Sequence, residues 1–436
     1  MKILVIDSNA LALDYCLRSM AEGHEVLWFI RDHKPGIRTI GQGLVPKTGD
    51  WRRYMRWADL IFLPDNSAYM RDLQPFVDKG YPIYGANDWT ARWELERGTG
   101  MDVLEAHGVK TLGGECFTNY DKAIDYVKST MGRYVSKPSG DADKALSYVS
   151  KTPADMVFML ERWKRLGKLK APFILQKFTK GCEMAVGAWV GKEGFASPWC
   201  ENFEFKKLMP DDLGVATGEQ GTVIRYVEHS KLADKVLKPV ESYLVECGHI
   251  GFVDVNCIID DKGNPWPLEF TMRPGWPIFN IQQQLHRSTA SWMKSSLEGK
   301  SIRSNFLTDK IATGIVVSIP DYPYSSRPRE DSSGIPIYGL DKSEAMIHLC
   351  ECKAGRAPVD VKGKVKTEPM IVTAGNYVLV TCGVGKTVQE SREGAYDVAK
   401  SLIIPNSPAW RTDVGERLKS QLPQMQKLGY AKGMTF

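Results

Sequence analysis

Residues 267–275 read Pro-Leu-Glu-Phe-Thr-Met-Arg-Pro-Gly, with Glu269, Thr271 and Arg273 at two-residue spacing before a Pro-Gly turn. Alternate side chains of an extended strand share a face. The pattern therefore predicts a carboxylate, a hydroxyl and a guanidinium on one side of one strand. Such a face is either solvated or built to hold a metal and an anion. The run GFVDVNCIIDDKGNPWPLEF (251–270) reads as two strands joined by a D-D-K-G-N turn, which adds Asp254 and Asn256 to the same hairpin.

Toward the N-terminus the pattern changes. KILVID (2–7), HEVLWFI (24–30), ADLIFLPD (58–65) and YPIYG (81–85) read as strands, and 10–23 and 70–80 carry helical periodicity. This alternation implies a parallel, doubly wound sheet. The turn after the first strand reads D-S-N-A-L-A, without the glycines of a dinucleotide fingerprint, which disfavours a nicotinamide oxidoreductase. Residues 92–107 read as one helix carrying Glu94 and Arg97. GRYVSKPSGDADKALSYVS (132–150) places Lys137 at the end of a short strand, before a loop that leads to Lys144. Residues 172–194 read as strand, short loop, strand. Toward the C-terminus, 311–320, 346–352 and 376–385 read as strands and 390–402 as a helix. GVGKT (383–387) lacks the four-residue spacer of a P-loop. Three domains are expected: an α/β domain over 1–90, an α+β domain over 91–305 with a lid subdomain over about 112–178, and a small β-rich domain over 306–436.

The 436 residues are 43% apolar and 25% charged, with a formal net charge of +5. That is the composition of a globular protein with a sizeable core. The mild positive charge suits an anionic small substrate and does not call for nucleic acid. Nine scattered cysteines, with only Cys350 and Cys352 close together, predict free thiols in a reducing compartment. The opening MKILVIDSNALAL lacks the order of a signal peptide, and no run reaches the length of a membrane span, so a cytoplasmic location without membrane partners is expected.

Five stretches stand in the order and spacing of one family's motifs. They are W-E-L-E-R (93–97) with H-G-V-K-T (107–111), V-S-K-P-S-G-D-A-D-K-A (135–145), L-Q-K-F-T-K-G-C-E (175–183), E-F-K-K (204–207) with V-A-T-G-E-Q-G (215–221), and G-N-P-W-P-L-E-F-T-M-R-P-G (263–275). Together with GIPIYGL (334–340) and the segment from 376, they resemble the ATP-grasp fold and, over nearly the full length, the glycinamide ribonucleotide synthetase (phosphoribosylamine–glycine ligase) family. The resemblance implies an ATP-grasp domain preceded by a doubly wound sheet and followed by a β-rich domain. It implies an ATP-dependent carboxylate–amine ligase working through an acyl phosphate, with ATP and Mg²⁺, an amino acid such as glycine and an amine as small-molecule partners, in a monomer or homodimer. Two alternatives stand beside it: the same chemistry on a different amine, and a nucleotide-binding protein without turnover.

The resemblance also implies roles. Lys137, Arg97 and Lys144 would meet the phosphates, Gln176, Lys177 and Phe178 the adenine, and Glu183 the ribose. Glu269 would hold magnesium with Asn256 or Asp254, next to Thr271. Arg273 would stabilise the acyl phosphate or bind the substrate carboxylate, with Lys206, Lys207 and the turn at Gly218 around the same anion. Each cation equally suits a solvated surface. Thr271 stands where the family has an asparagine, Asp141 and Asp143 fall in its glycine-rich loop, and Ser8-Asn9-Ala10-Leu11 replaces its phosphate-binding glycines. The activation machinery is thus kept better than the amine pocket.

Overall fold

The computed structural model describes residues 1–138, 146–168, 172–300, 305–324 and 329–436. Lys2–Asp7, Glu25–Ile30, Lys47–Thr48, Leu60–Phe62 and Ile83–Tyr84 form a parallel five-stranded sheet. Its spatial order runs third, second, first, fourth, fifth. The doubly wound reading of the N-terminal region is borne out. Nearly continuous apolar runs explain it, since Ile3, Leu4, Val5 and Leu60 are wholly buried, as strands covered on both faces require.

A second sheet is antiparallel and small. Gly114–Phe117, Phe173–Lys177, Tyr134–Pro138 and Tyr148–Val149 lie side by side in that order. Helices Tyr120–Thr130 and Pro153–Arg165 cover one face, and Tyr134, Leu160, Trp163 and Leu175 form a core of their own there. Both helices begin at well-capped positions: Asn119 accepts from the Asp121 N–H at 2.7 Å, and Thr152 with Asp155 forms a capping box. Ile174, Gln176 and Lys137 lie on the sheet's other face.

The third sheet has eight strands and carries most of the site. Its order is Pro265–Thr271, Gly251–Ile259, Cys182–Gly191, Gly194–Met209, Leu213–Val227, Ile311–Ser318, Tyr377–Gly385 and Ile347–Leu349. Because Leu213–Val227 pairs with Ile311–Ser318, hydrogen bonding runs without a break across residue 305. Ser333–Pro336, Lys364–Ala374 and Cys352–Val361 make a fourth, three-stranded sheet.

Three local expectations differ from the structure, and one hairpin went unread. The helix expected over 92–107 is two helices, Arg92–Leu95 and Arg97–Ala106, with Glu96 between them at φ −109°, ψ 83°. A Cβ at Gly100 would sit 2.2 Å from the Trp93 carbonyl oxygen, so the fold-back requires glycine there. The strand ends at Thr271, so Arg273 is outside it and turns toward Glu94 rather than sharing the face of Glu269. The segment 346–352 is split, with Ile347–Leu349 in the large sheet and Cys352 opening a strand of the small one. Finally, the hairpin Gly194–Met209 and Leu213–Val227, which builds the middle of the large sheet, is not legible in the alternation of its residues.

Candidate active site

The strands of the large sheet bring six predicted residues onto one face. Glu269 stands opposite Asn256, and Thr271 opposite Asp254, in the register of the hairpin. Glu183 follows on the next strand, and Lys206 on the one after. The Lys206 ammonium lies 2.9 Å from Glu183, 2.8 Å from Glu204 and 3.8 Å from Glu269. Asn256 donates to Glu204 at 2.7 Å. Glu204 was not among the expected site residues. Its alternation with Lys206 on one strand is the signal that could have found it.

Cations from outside the sheet close over this face. Arg97, at the start of its helix, donates to Glu269. Lys137 donates to the Leu268 carbonyl at 3.2 Å, beside the same carboxylate. Arg273 is 3.0 Å from Glu94, whose other oxygen accepts from the Met272 N–H at 2.8 Å and from Asn66 at 2.9 Å. The loop after Thr271 is thereby tied to the broken helix and to the N-terminal sheet.

The charges perturb one another. Burial, with Arg97 beside it, brings Lys137 down to about 7. Burial works against the charge of Glu269, but Arg97 and Lys206 outweigh it and hold the carboxyl well below its usual range. Burial, with Glu204 nearby, pushes Asp254 up to about 8, and its carboxyl accepts from Asn202 at 2.7 Å. Glu219, also unexpected, is buried and pushed well above the usual carboxylate range by desolvation and by Glu204. Gly187 has no side chain where a Cβ would lie 2.8 Å from Asp254 Oδ2, which leaves that carboxylate room on the face.

A cleft of about 210 Å³ opens between the small sheet and the helix Arg97–Ala106, lined by Arg97, Met101, Lys137, Ile174, Gln176 and Leu268. Gln176 is buried in it. Lys177 and Phe178 do not line it, and their N–H groups are already given to the Gly113 and Arg133 carbonyls, at 2.8 and 3.0 Å. The Arg133 guanidinium stacks 3.4 Å from the centre of the Phe178 ring. Lys207 is not brought to the cluster; its ammonium points away to the Gly214 carbonyl at 3.3 Å. Gly218 is exposed on its strand. Lys144 lies outside the described residues.

Among the described residues no three His, Cys, Asp or Glu side chains converge to hold a metal ion by themselves. The donor set nevertheless fits Mg²⁺, which takes one or two carboxylates and completes its shell with phosphate and water. Glu269 supplies the carboxylate, and Asn256 Oδ1, across the hairpin, is a buried acceptor with no partner.

No family model matches the chain. The phosphoribosylamine–glycine ligase of Neisseria meningitidis is 23% identical over 355 residues, 78% of this chain and 80% of that protein. The enzyme of that name from Salmonella typhimurium is 22% identical over 398 residues, 88% and 89% of the two chains. Among solved structures, the phosphoribosylamine–glycine ligase of Thermotoga maritima superposes with a TM-score of 0.68 at 19% identity, covering 95% of this chain and all of the other. The fold is the ATP-grasp fold. The ADP complex of N5-carboxyaminoimidazole ribonucleotide synthetase shares it with a TM-score of 0.60 at 13% identity, over 92% of this chain and 95% of that one. The likeness read from the motifs, to glycinamide ribonucleotide synthetase, is thus borne out in sequence and in fold. No helix among the described residues is long and apolar enough to cross a membrane.

Proposed function

We propose that the chain is an ATP-dependent carbon–nitrogen ligase that activates an amino acid carboxylate as an acyl phosphate and joins it to an amine. The observation that supports this best is the meeting of Arg97, Lys137, Lys206 and Glu269 at the mouth of the cleft. Phosphoryl transfer needs in-line positioning and cations around the oxygens where charge develops. ATP lies in the cleft with its base against Gln176 and its ribose toward Glu183. Lys137 and Arg97 hold the phosphates. Glu269 with Asn256 or Asp254, and Thr271 beside them, would hold Mg²⁺, which would supply neutralisation of phosphate charge. Lys206 stands where the acyl phosphate forms, and Arg273 orients the substrate carboxylate. The divisions 1–90, 91–305 and 306–436 then act as amine-side wall, activation centre and outer wall of one reaction chamber.

The competing reading, a nucleotide binder without turnover, draws its support from Thr271 in the hairpin. One experiment separates them. Purified protein with Mg²⁺–ATP is given single amino acids, with and without a panel of amines, and ADP and amide products are measured. Amino-acid-dependent ADP release with a mass-identified amide is the expected result. Nucleotide binding with no ADP release under any pairing would overturn the ligase.

A further inference from the structure

Gln176 is 4% exposed and lines the cleft between the small sheet and the helix Arg97–Ala106. Nothing beside it on the sheet can hold its amide. Gly114 stands directly opposite on one neighbouring strand, and Val135 on the other. A Cβ at Gly114 would lie 2.9 Å from the Leu175 carbonyl oxygen, so the place next to Gln176 stays free of a side chain. Ile174, two residues back on the same face of the strand, is apolar. Across the cleft the Thr111 hydroxyl is already given to Glu105. Neither end of the Gln176 amide is hydrogen-bonded among the described residues.

Its position matters as much as its freedom. Lys137 stands opposite Ile174, and same-face residues along a strand are about 7 Å apart. With the phosphates at Lys137 and Arg97, the base falls at Gln176, against the apolar Ile174 and Leu268. An amide carries an acceptor and a donor side by side. With its oxygen toward N6–H and its NH₂ toward the neighbouring ring nitrogen, it pairs with adenine. Turned by half a rotation about its last bond, it gives NH₂ to O6 and takes N1–H of guanine. An amide fixed by the protein would reject one of the two bases, because the mismatched edge leaves buried groups unpaired. At Gln176 the turn breaks no hydrogen bond within the protein.

We infer that Gln176 sets the base specificity of the cleft by turning its amide, so that adenine and guanine nucleotides serve alike as phosphoryl donor. In either case the γ-phosphoryl group passes to the substrate carboxylate and the nucleoside diphosphate leaves. The inference rests on the ligase reading for the word donor, and on the cleft alone for the binding.

Calorimetric titration of the full chain with Mg²⁺–ADP and with Mg²⁺–GDP tests it without turnover. The two Kd values are expected to lie within about tenfold of each other, and a larger ratio overturns the inference. Gln176→Met keeps the volume and removes both hydrogen-bonding ends; it should weaken ADP and GDP together, by about tenfold each. A variant that weakens only one of the two, or neither, also overturns the inference. Far-UV circular dichroism checks that the variant folds. If it does not, Gln176→Asn, which keeps the amide and withdraws it from the base, takes its place with the same expectation. A protein that binds both nucleotides through Gln176 but makes no amide keeps the base reading and loses the ligase. One that makes amides with ATP and rejects GDP keeps the ligase and loses the base reading.

Discussion

Arg97 and Glu269, 172 residues apart in sequence, are joined by a hydrogen bond, while Lys206 waits 3.8 Å from the other oxygen of the same carboxylate. The carboxylate is therefore held ionised and aimed before any ligand arrives. A metal approaching Glu269 meets a formed anion, and phosphate approaching Arg97 meets a formed cation. Glu269→Gln keeps the shape and removes the charge. We expect amide formation to fall by at least about 10²-fold, the scale on which one preorganised charge-stabilising group acts. Magnesium-dependent tightening of ADP binding should fall with it, while far-UV circular dichroism stays that of the wild type. Turnover within about threefold of wild type, under roughly 1 kcal/mol, would remove Glu269 from the metal site.

A second buried network fixes the N-terminal sheet to the large one. Asp14, in the first turn of the helix Leu13–Ala21, accepts from Arg18 at 3.0 Å, from Gln283 at 2.7 Å and pairs with His348 at 2.7 Å. Burial opposes its charge, yet His348 and Arg18 hold its carboxyl below the usual range. Asp14→Ala takes the carboxylate away from the buried Gln283 and His348 and from Arg18, and should cost about 3–5 kcal/mol, measured by urea unfolding. The sign with pH follows from the lowered value. The stabilisation is present above the unfolded carboxyl's pKa near 4 and is lost as pH falls through the folded one. A variant as stable as wild type at neutral pH would show that the network merely fills space.

Much of this architecture was readable in advance, for definable reasons. The parallel strands announced themselves because burial on both faces leaves an unbroken apolar run such as Ile3–Ile6. The hairpin of Asp254 and Glu269 showed because the D-D-K-G-N turn carries its own chemistry; Asp260 accepts the Lys262 and Asn264 N–H groups at 2.9 and 2.8 Å. Glu204 and Glu219 were missed because an acid in a long strand looks solvated until neighbouring strands bury it. Arg273 was assigned to the wrong face because strand length, not spacing, decides where period two stops. Lys207 was assigned with Lys206 because adjacent residues share a motif, whereas a strand sends them to opposite sides.

The loop after the first strand carries a third prediction. Asn9 donates to Asp65 and to Ser67, and its carbonyl oxygen lies 3.2 Å from His33 Nε2. Asp7 beside it is wholly buried; desolvation and Asp65 push it up to about 7. A phosphate cradle needs bare N–H groups and positive potential. Here the Asn9 and Ala12 N–H groups are given to Asp7, at 3.0 and 2.9 Å, and the nearby carboxyls are acidic side chains. Phosphoribosylamine should therefore be a poor acceptor, adding little to amino-acid-dependent ADP release in a coupled assay. Its conversion to glycinamide ribonucleotide at ordinary biosynthetic rates, ~1–10³ per second, would refute this.

Lys137 carries the last prediction, because its pKa of about 7 sits well below that of a free lysine, through burial and the facing Arg97. In the free protein a substantial part of the Lys137 population is therefore neutral at pH 8. Phosphate oxygens next to the amine favour the ammonium, so nucleotide binding should draw a proton from solution near that pH. Calorimetry of ATP binding in two buffers of different ionisation enthalpy reads that uptake directly. Lys137→Met should lower the uptake by up to about one proton and raise the ATP concentration needed for turnover. The same depressed value fixes the stability sign. Between pH 7 and about 10.5 the unfolded chain binds the proton that folded Lys137 has released, so wild-type stability gains from rising pH across that window relative to Lys137→Met. Equal proton uptake in the two proteins would return Lys137 to the role of an ordinary partly buried cation with no hand on the phosphates.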